Sequence, residues 1–196
     1  MKNVMLNILE QYLQLFPYEN HRLSKFFEFL NKNDENNIID WNNFEGHIVA
    51  SGFVFAKKEK KFLVLYHKDL NMYLYPGGHV NKNDINVLEA AKREIFEETG
   101  LKDLEQFKLL DNDLLPIDID THIIKYNDRL KLPEHYHFDF RYLFMIDSIQ
   151  EIKLDIEELE DYKWIDIDEM HNDKNLIKVV DKINKLLDIN EKRIQI

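Results

Sequence analysis

Residues 76–101 read PGGHVNKNDINVLEAAKREIFEETGL and combine a glycine turn with a stretch in which apolar and charged residues alternate. The apolar residues recur about every 3.6 positions, which predicts a helix with one side packed in a core. The apolar stripe consists of Val87, Leu88, Ala91 and Ile95. We expect Asp84 to be the N-cap of this helix and Gly100 its left-handed C-cap.

The opposite side of the predicted helix is acidic. Glu94, Glu97 and Glu98 stand at i, i+3 and i+4, so their carboxylates share one face. Arg93 is expected to offset part of their repulsion by pairing with Glu89 and Glu97. A charge run of this kind is often only a solvated helix face. Next to a glycine turn, however, a ligand set made of oxygen atoms favours a hard cation, Mg²⁺ or Mn²⁺, which completes its shell with water and phosphate oxygens.

The whole segment resembles the Nudix box, G-x5-E-x7-R-E-U-x-E-E-x-G-U, in which U is aliphatic. The matching residues are Gly78, Arg93, Glu94, Ile95, Glu97, Glu98, Gly100 and Leu101. The loop departs from the pattern in two ways. Fourteen residues separate Gly78 from Arg93, one more than in the box, and the first glutamate has no literal match. Asp84 is its nearest substitute, and Asn81 stands where many members carry an acid.

The resemblance extends over residues 44–170, in which strand-like segments surround a G-G-H loop. It implies a MutT-like α/β fold, an α/β/α sandwich built on a mixed β-sheet. It also implies a metal-dependent hydrolase that cleaves a diphosphate bond in a nucleoside diphosphate linked to another moiety. The substrate or phosphate loop is predicted at Gly77, Gly78 and His79, because glycines let the backbone approach a diphosphate closely.

The acids of the helix have distinct expected roles. Glu97 and Glu98 would be the main ligands of Mg²⁺ (or Mn²⁺), which would lower the pKa of the attacking water. Glu94 is the candidate for the general base or for a further metal ligand. Arg93 is expected to orient these acids.

Strands are predicted on both sides of the acidic helix, at 47–57, 61–67, 72–75, 114–124 and 135–146. Alternation along the last two places polar residues on one face of each strand. They are Asp118, Asp120 and His122 on the first and His135, His137 and Asp139 on the second. A half-solvated strand explains most such patterns, but histidines and aspartates that recur together favour a phosphate or metal site. The second group of candidate site residues is therefore Asp120, His122, His135, His137 and Asp139.

Other functions are compatible with parts of the sequence. His135, His137 and Asp139 resemble the H-x-H-x-D-H zinc signature of metallo-β-lactamase-like hydrolases, although Phe140 replaces its last histidine. Isopentenyl diphosphate isomerase has a similar fold, but its usual catalytic cysteine is absent from this chain. A third alternative is a non-catalytic Nudix-fold module that senses a nucleotide or ADP-ribose. Such regulators generally lose acids of the box or append a basic DNA-binding domain, and neither feature is found here.

Amphipathic helices are predicted outside the acidic segment. Two precede the strands, and a long one follows the strand that holds Trp164. Their apolar stripes are Val4, Ile8, Leu9, Tyr12 and Leu13, then Leu23, Phe26, Phe27 and Leu30, then Leu176, Val179, Val180, Ile183, Leu186 and Leu187. The expected organisation is a helical extension at 1–43 and a Nudix domain with a C-terminal helix at 44–196. The first two helices either cap the sheet or pair two subunits, and the last packs on the core or forms a dimer face.

Composition limits the partners. The formal net charge of −11 argues against binding to a nucleic-acid backbone, which depends on Lys and Arg. The absence of cysteine excludes disulfides and thiolate metal sites, and no apolar run reaches the roughly 18 residues of a membrane span. We therefore expect a soluble, cytoplasmic monomer or homodimer that acts on a nucleotide-type small molecule, with no nucleic-acid or membrane partner.

Overall fold

The chain folds into an eight-stranded sheet flanked by helices. The computed structural model describes residues 1–110, 112–128, 131–171 and 176–194, so the last two residues of the predicted domain 44–196 lie outside the described residues. The helices are α1 (Lys2–Leu15), α2 (Asn20–Lys32), α3 (Val87–Thr99), α4 (Ile167–His171) and α5 (Ile177–Ile194). The strands are β1 (Gly46–Ala56), β2 (Lys61–His67), β3 (Met72–Leu74), β4 (Gly77–His79), β5 (Glu105–Gln106), β6 (Asp118–Ile124), β7 (His135–Ile146) and β8 (Leu159–Asp166).

The sheet is mixed, as predicted. β1 and β7 run parallel from the pair Gly46/Tyr136 to the pair Ala56/Ile146, and all the other pairings are antiparallel. β1 changes its partner along its length. Its first half pairs with β4, which contains the two glycines of the predicted turn, and its end pairs with β2. The sheet therefore forks beside β4, and the fork brings the glycine segment next to the centre of the sheet.

Helices cover both faces of the sheet, which makes the α/β/α sandwich. On one face, Phe26 of α2 stacks on Phe138 of β7 with ring centroids 4.8 Å apart. On the same face α3 lies so close to β1 that a Cβ added to Gly52 would come within 2.5 Å of Cδ1 of Ile95. On the other face, residues of α4 and α5 form a second core with Phe53 and Leu143.

The N-terminal helices cap the sheet, which is the first of the two roles that the sequence left open. Most residues of their predicted stripes are buried, but one in each helix is exposed. Met5 and Phe29 are buried, whereas Val4 and Phe27, which were expected to pack, are 39% and 38% exposed. Val179, Val180 and Ile183 of α5 are buried as predicted for core packing. Within the described residues, no helix has the length and apolar character needed to cross a membrane.

The boundaries of α3 confirm one predicted cap and correct the other. Gly100 is the left-handed C-cap, at φ +73°. The N-cap is Asn86, whose side chain accepts a hydrogen bond from the backbone N–H of Glu89, so the assignment to Asp84 was wrong. The prediction of a strand from 114 was also too long, because Pro116 lacks an N–H and residues 112–115 form a turn before β6 begins at Asp118. The short elements β4, β5 and α4 were not predicted.

Candidate active site

A cleft of about 500 Å³ lies where the sheet forks, between α3, β4 and one face of β1, β6 and β7. Most of the residues predicted for the site line it. They are Gly77, Gly78, His79, Arg93, Glu94, Glu97, Glu98, His122, His137 and Asp139. Asp120 lies in a neighbouring groove instead. His135 is buried behind His137, with their Nε2 atoms 3.2 Å apart. The cleft therefore joins the acidic helix to the polar strands.

The carboxylate cluster, Glu94, Glu97 and Glu98, forms one side of the cleft. Glu98 is only 5% exposed, and its Oε2 accepts a 2.9 Å hydrogen bond from the backbone N–H of Gly77. Burial raises the pKa of Glu98 to about 8, and the charges of Glu94 and Glu158 add to the effect. Burial also raises the pKa of Glu94, against the opposing influence of Arg93. Without a cation, this side of the cleft resists ionisation.

Arg93 holds the cluster together. Its guanidinium makes a two-pronged ion pair with Asp84, with both N–O distances 2.9 Å, and it donates at 2.8 Å to both Glu94 and Glu97. It also donates to the backbone carbonyl of His79, at 2.9 Å. Asp84 thus contributes the acid that the loop otherwise lacks, but as a partner of Arg93. The expected pair between Arg93 and Glu89 is not formed, because Glu89 turns to Lys92 at 2.9 Å.

The structure gives a steric reason why each of positions 77 and 78 requires glycine, and the sequence alone did not reveal it. A Cβ at Gly77 would lie 2.7 Å from Cα of Ser51 on the paired strand. A Cβ at Gly78 would lie 2.6 Å from Oε2 of Glu94. The absence of side chains at Gly77 and Gly78 therefore lets β4 pack closely against β1. It also lets the carboxylate of Glu94 lie against the backbone of β4.

A histidine cluster forms the other side of the cleft. It comprises His47, His79, His122, His135 and His137. The register of the sheet explains it, since His47 is opposite His137, which in turn is opposite His122. Burial, followed by the neighbouring imidazoles, lowers the pKa of His47 to about 3. Partial loss of water around the rings also lowers the pKa values of His79 and His137, although His79 keeps an exposed edge at the cleft. These three imidazoles are neutral near pH 7.

The aspartates behind the histidines are already paired with protein groups. Asp139 accepts hydrogen bonds from Ser51 at 2.8 Å, from Tyr75 at 3.2 Å and from Arg141 at 2.8 Å. Asp120 binds Arg141 at 2.9 Å and His122 at 3.0 Å. Although burial opposes ionisation of Asp120, His122 and Arg141 lower its pKa. The alternative interpretation of a half-solvated strand is wrong for Asp139 and for Asp118, because both are only 2% exposed.

Three residues at the site were not foreseen from the sequence. His47 joins the histidine cluster only through the long-range pairing of β1 with β7. His67, at the end of β2, places its Nε2 3.9 Å from Oε1 of Glu98. Glu158 lines the cleft from the segment before β8, and burial raises its pKa, with Asp155 and Asp69 adding to the effect. No local signal marks any of the three, because each reaches the cleft by tertiary pairing.

The fold and the acid-bearing helix together define a Nudix-type α/β/α sandwich. The chain belongs to the Nudix family, because a family model described as NUDIX domain matches residues 46–187. The structural likeness includes a NUDIX-family hydrolase from Clostridium perfringens, with a TM-score of 0.54, 25% identity and coverage of 71% of this chain and 97% of that one. An Ap4A hydrolase from C. elegans shares the fold at a TM-score of 0.55 and 16% identity, over 71% of this chain and 96% of the other.

Two relatives carry names that describe an activity. A probable DHNTP pyrophosphohydrolase of Lactococcus lactis subsp. cremoris is 35% identical over 105 residues, which are 54% of this chain and 57% of the relative. The match therefore spans little more than half of that relative. An RNA pyrophosphohydrolase of Pelagibacter ubique is 30% identical over 146 residues, covering 72% of this chain and 87% of the relative.

The carboxylate cluster fits a hard divalent cation. Its donors are carboxylate oxygens, the ligands that Mg²⁺ and Mn²⁺ take in proteins. Glu98 is buried and Glu94 is half-buried, the loss of water raises the pKa of both, and Glu158 lines the same cleft. A cation bound there would remove the penalty for ionising both glutamates, since an opposite charge nearby favours the charged form.

Proposed function

We propose that the chain is a metal-dependent hydrolase that cleaves a diphosphate bond in a nucleoside diphosphate linked to another moiety. The observation that carries the proposal is the convergence of Glu94, Glu97 and Glu98 on one cleft, with Arg93 holding two of them in place. The names of the two relatives, both pyrophosphohydrolases, support the same bond type.

The residues divide the work as follows. Glu97 and Glu98, with Glu94, would hold Mg²⁺ or Mn²⁺. When bound, the ion neutralises phosphate charge and makes a water molecule more acidic. Glu94 is the candidate base, because its carboxylate lies directly beside the backbone of Gly78, where a diphosphate would approach. Arg93 keeps Glu94 and Glu97 in position.

A neighbouring groove offers room for the remainder of the substrate. Its volume is about 890 Å³, and it shares Leu70, Leu74 and Tyr75 with the catalytic cleft. Its other side includes Ile124 and Tyr126. The apolar and aromatic side chains of this groove, which also holds charged groups such as Asp120 and Arg141, would suit a base or another flat group, since pockets for small molecules combine apolar walls with a few polar groups.

The test is a panel of substrates with Mg²⁺ and with Mn²⁺. The panel contains nucleoside diphosphate sugars, dinucleoside polyphosphates, NADH, ADP-ribose, CDP-alcohols and nucleoside triphosphates. The Glu97→Gln variant should lose most of the metal-dependent turnover, by about a thousandfold, because several kcal/mol of charge stabilisation depend on the ion and each 1.4 kcal/mol is tenfold. Glu97 is 54% exposed, so the fold should be retained. Wild-type turnover by Glu97→Gln would refute the assignment.

Silence of the wild-type protein across the panel, with metal binding intact, would favour the sensor function instead. In support of hydrolysis, all three glutamates of the carboxylate cluster are present and line the cleft. We also propose the division into a helical extension at 1–43 and a catalytic domain at 44–196, which is supported by the start of the family match at residue 46.

A further inference from the structure

The histidine cluster contains more imidazoles than the hydrolysis proposed above requires. Five of the eight histidines of the chain meet on one face of four strands. The ring centroids of His47 lie 4.8 Å from those of both His79 and His135, and 4.7 Å from that of His137. Each of these residues comes from a strand whose register is fixed by backbone pairing, so the cluster is built into the sheet and does not depend on a loop.

Three of these histidines have the geometry of a ligand set. One nitrogen each from His47, His79 and His137 can be chosen so that all three lie within 4.8 Å of one another. The Nε2 atoms of His47 and His79 are 3.0 Å apart. Zinc–nitrogen bonds of about 2.0–2.1 Å at tetrahedral angles separate two ligand nitrogens by roughly 3.3 Å, so the pair formed by His47 and His79 is close to that separation and the third imidazole would move towards it by rotation of its side chain.

The hydrogen bonds within the cluster do not satisfy all of its imidazole nitrogen atoms. His47 is 2% exposed, and among the described residues its Nδ1 has no hydrogen-bond partner. The Nε2 contact between His47 and His79 can hold one proton at most, so one nitrogen donates and the other accepts. Within the part of the chain that the structure describes, no hydrogen bond to Nδ1 therefore fixes the proton of His47 on Nε2, and Nε2 can present its lone pair to an ion.

The electrostatics favour a cation over a phosphate group. The rings of His47, His79 and His137 lie with their centroids 4.7–5.6 Å apart, and positive charges that close repel one another, so the imidazoles are favoured as neutral groups that present lone pairs. The guanidinium of Arg93, which lines the same cleft, is taken up by Asp84, Glu94 and Glu97. A phosphate would find no uncommitted positive charge among these side chains, whereas a metal ion would find neutral nitrogen donors of the kind it prefers.

We propose that His47, His79 and His137 form a second metal site, which takes a borderline transition-metal ion such as Zn²⁺ and is separate from the carboxylate cluster. Three histidines leave part of a tetrahedral shell open, as in zinc sites that bind water or substrate. His79 is exposed and lines the cleft, so an ion held by these residues would be accessible from the cleft. The site differs from the H-x-H-x-D signature, because Asp139 is bound to Ser51, Tyr75 and Arg141.

His135 acts as a positioning residue for this site. Its Nδ1 lies 2.7 Å from the carbonyl oxygen of Pro133, and a carbonyl only accepts, so Nδ1 carries the proton. Its Nε2 then faces Nε2 of His137 at 3.2 Å. Outer partners of this kind orient metal-binding imidazoles and typically change metal affinity about 10–100-fold when removed.

The test uses the full chain, freed of metal with a chelator and then kept in excess Mg²⁺ so that the carboxylate cluster is occupied. Titration with Zn²⁺ in a calorimeter should show one tight site per chain, and Co²⁺ should give the visible absorption of a four- or five-coordinate ion with nitrogen ligands. The His79→Gln variant should weaken Zn²⁺ binding on the order of 100-fold or more. His79 is exposed at the cleft, so this variant should fold, which circular dichroism would check.

Two matched variants separate this proposal from the proposed hydrolysis. His21→Ala removes an exposed histidine on α2 and should leave Zn²⁺ affinity unchanged. Glu97→Gln should abolish Mg²⁺-dependent turnover and yet keep the Zn²⁺ site. Three results would overturn the proposal of a second site. They are loss of Zn²⁺ binding in Glu97→Gln, wild-type Zn²⁺ affinity in His79→Gln, and the absence of stoichiometric Zn²⁺ binding by the wild type. A chain that binds Zn²⁺ but hydrolyses nothing would keep this inference and refute the hydrolase.

Discussion

The two sides of the cleft respond to burial in opposite ways. On the helix side, loss of water raises the pKa of Glu98 to about 8. On the strand side, the same loss of water lowers the pKa of His47 to about 3. Burial always disfavours the charged form, so without metal both sides tend towards neutrality. The difference lies in what each side then offers, because a neutral carboxyl group must release a proton before it binds a cation and a neutral imidazole need not.

This contrast predicts that the metal-free protein loses stability as the pH rises towards 8. The folded pKa of Glu98, about 8, is above its ordinary value of 4.5. The associated stability is therefore complete below pH 4.5 and is lost as the pH rises through 8, by about 1.4 kcal/mol per pH unit. Glu98→Gln cannot ionise, so in chelator its unfolding free energy should exceed that of the wild type by a margin that grows from pH 5 to pH 8. A constant margin would show that Glu98 ionises freely in the fold.

The histidine side predicts the opposite slope. The folded pKa of His47, about 3, is below its ordinary value of 6.5. Its stability is therefore complete above pH 6.5 and is lost as the pH falls towards 3, again by about 1.4 kcal/mol per unit. Denaturant unfolding between pH 7 and pH 4 should show the wild type losing stability faster than His47→Gln. Parallel curves would mean that His47 takes up a proton without penalty.

The same contrast explains what the sequence could reveal. The acids of α3 stand within five residues of one another, and helical periodicity alone puts them on one face. Their shared face, the C-cap at Gly100 and the core side of α3 all follow from local pattern. The strands were also found within a few residues, since their apolar alternation is local.

The histidine side could not be assembled in this way. Alternation placed His135 and His137 on one face of β7, but the partner strand and its register come from a parallel pairing across about ninety residues. His47 therefore had no signal of its own. The N-cap was missed for a related reason, since Asp84 and Asn86 both suit a helix start and the choice depends on Arg93 capturing Asp84. Pairing across the chain decides both cases.

Arg93 contacts both sides of the cleft, and we expect its replacement to have a moderate effect on catalysis. Its guanidinium binds Asp84, Glu94, Glu97 and the carbonyl of His79 at once. A lysine cannot reproduce a planar two-pronged pair. We expect Arg93→Lys to reduce Mg²⁺-dependent turnover about 10–100-fold and to raise the Mg²⁺ concentration needed for half-maximal rate. Steady-state kinetics over a Mg²⁺ series measures both quantities, and unchanged values would remove Arg93 from its orienting role.

The smallest expected effect belongs to Glu89, which lies on the same helix as the carboxylate cluster but does not line the cleft. It is 43% exposed and pairs with Lys92 at 2.9 Å. Its charge contributes a helix pair and a favourable position in the first turn, together about 1 kcal/mol or less. Glu89→Gln should therefore lower the unfolding free energy slightly and change Mg²⁺-dependent turnover by less than about twofold, where Glu97→Gln removes nearly all of it. Both variants remove one negative charge from α3. Equal losses of turnover would mean that the net charge of the helix governs catalysis, whereas a large difference would assign it to the carboxylates that face the cleft.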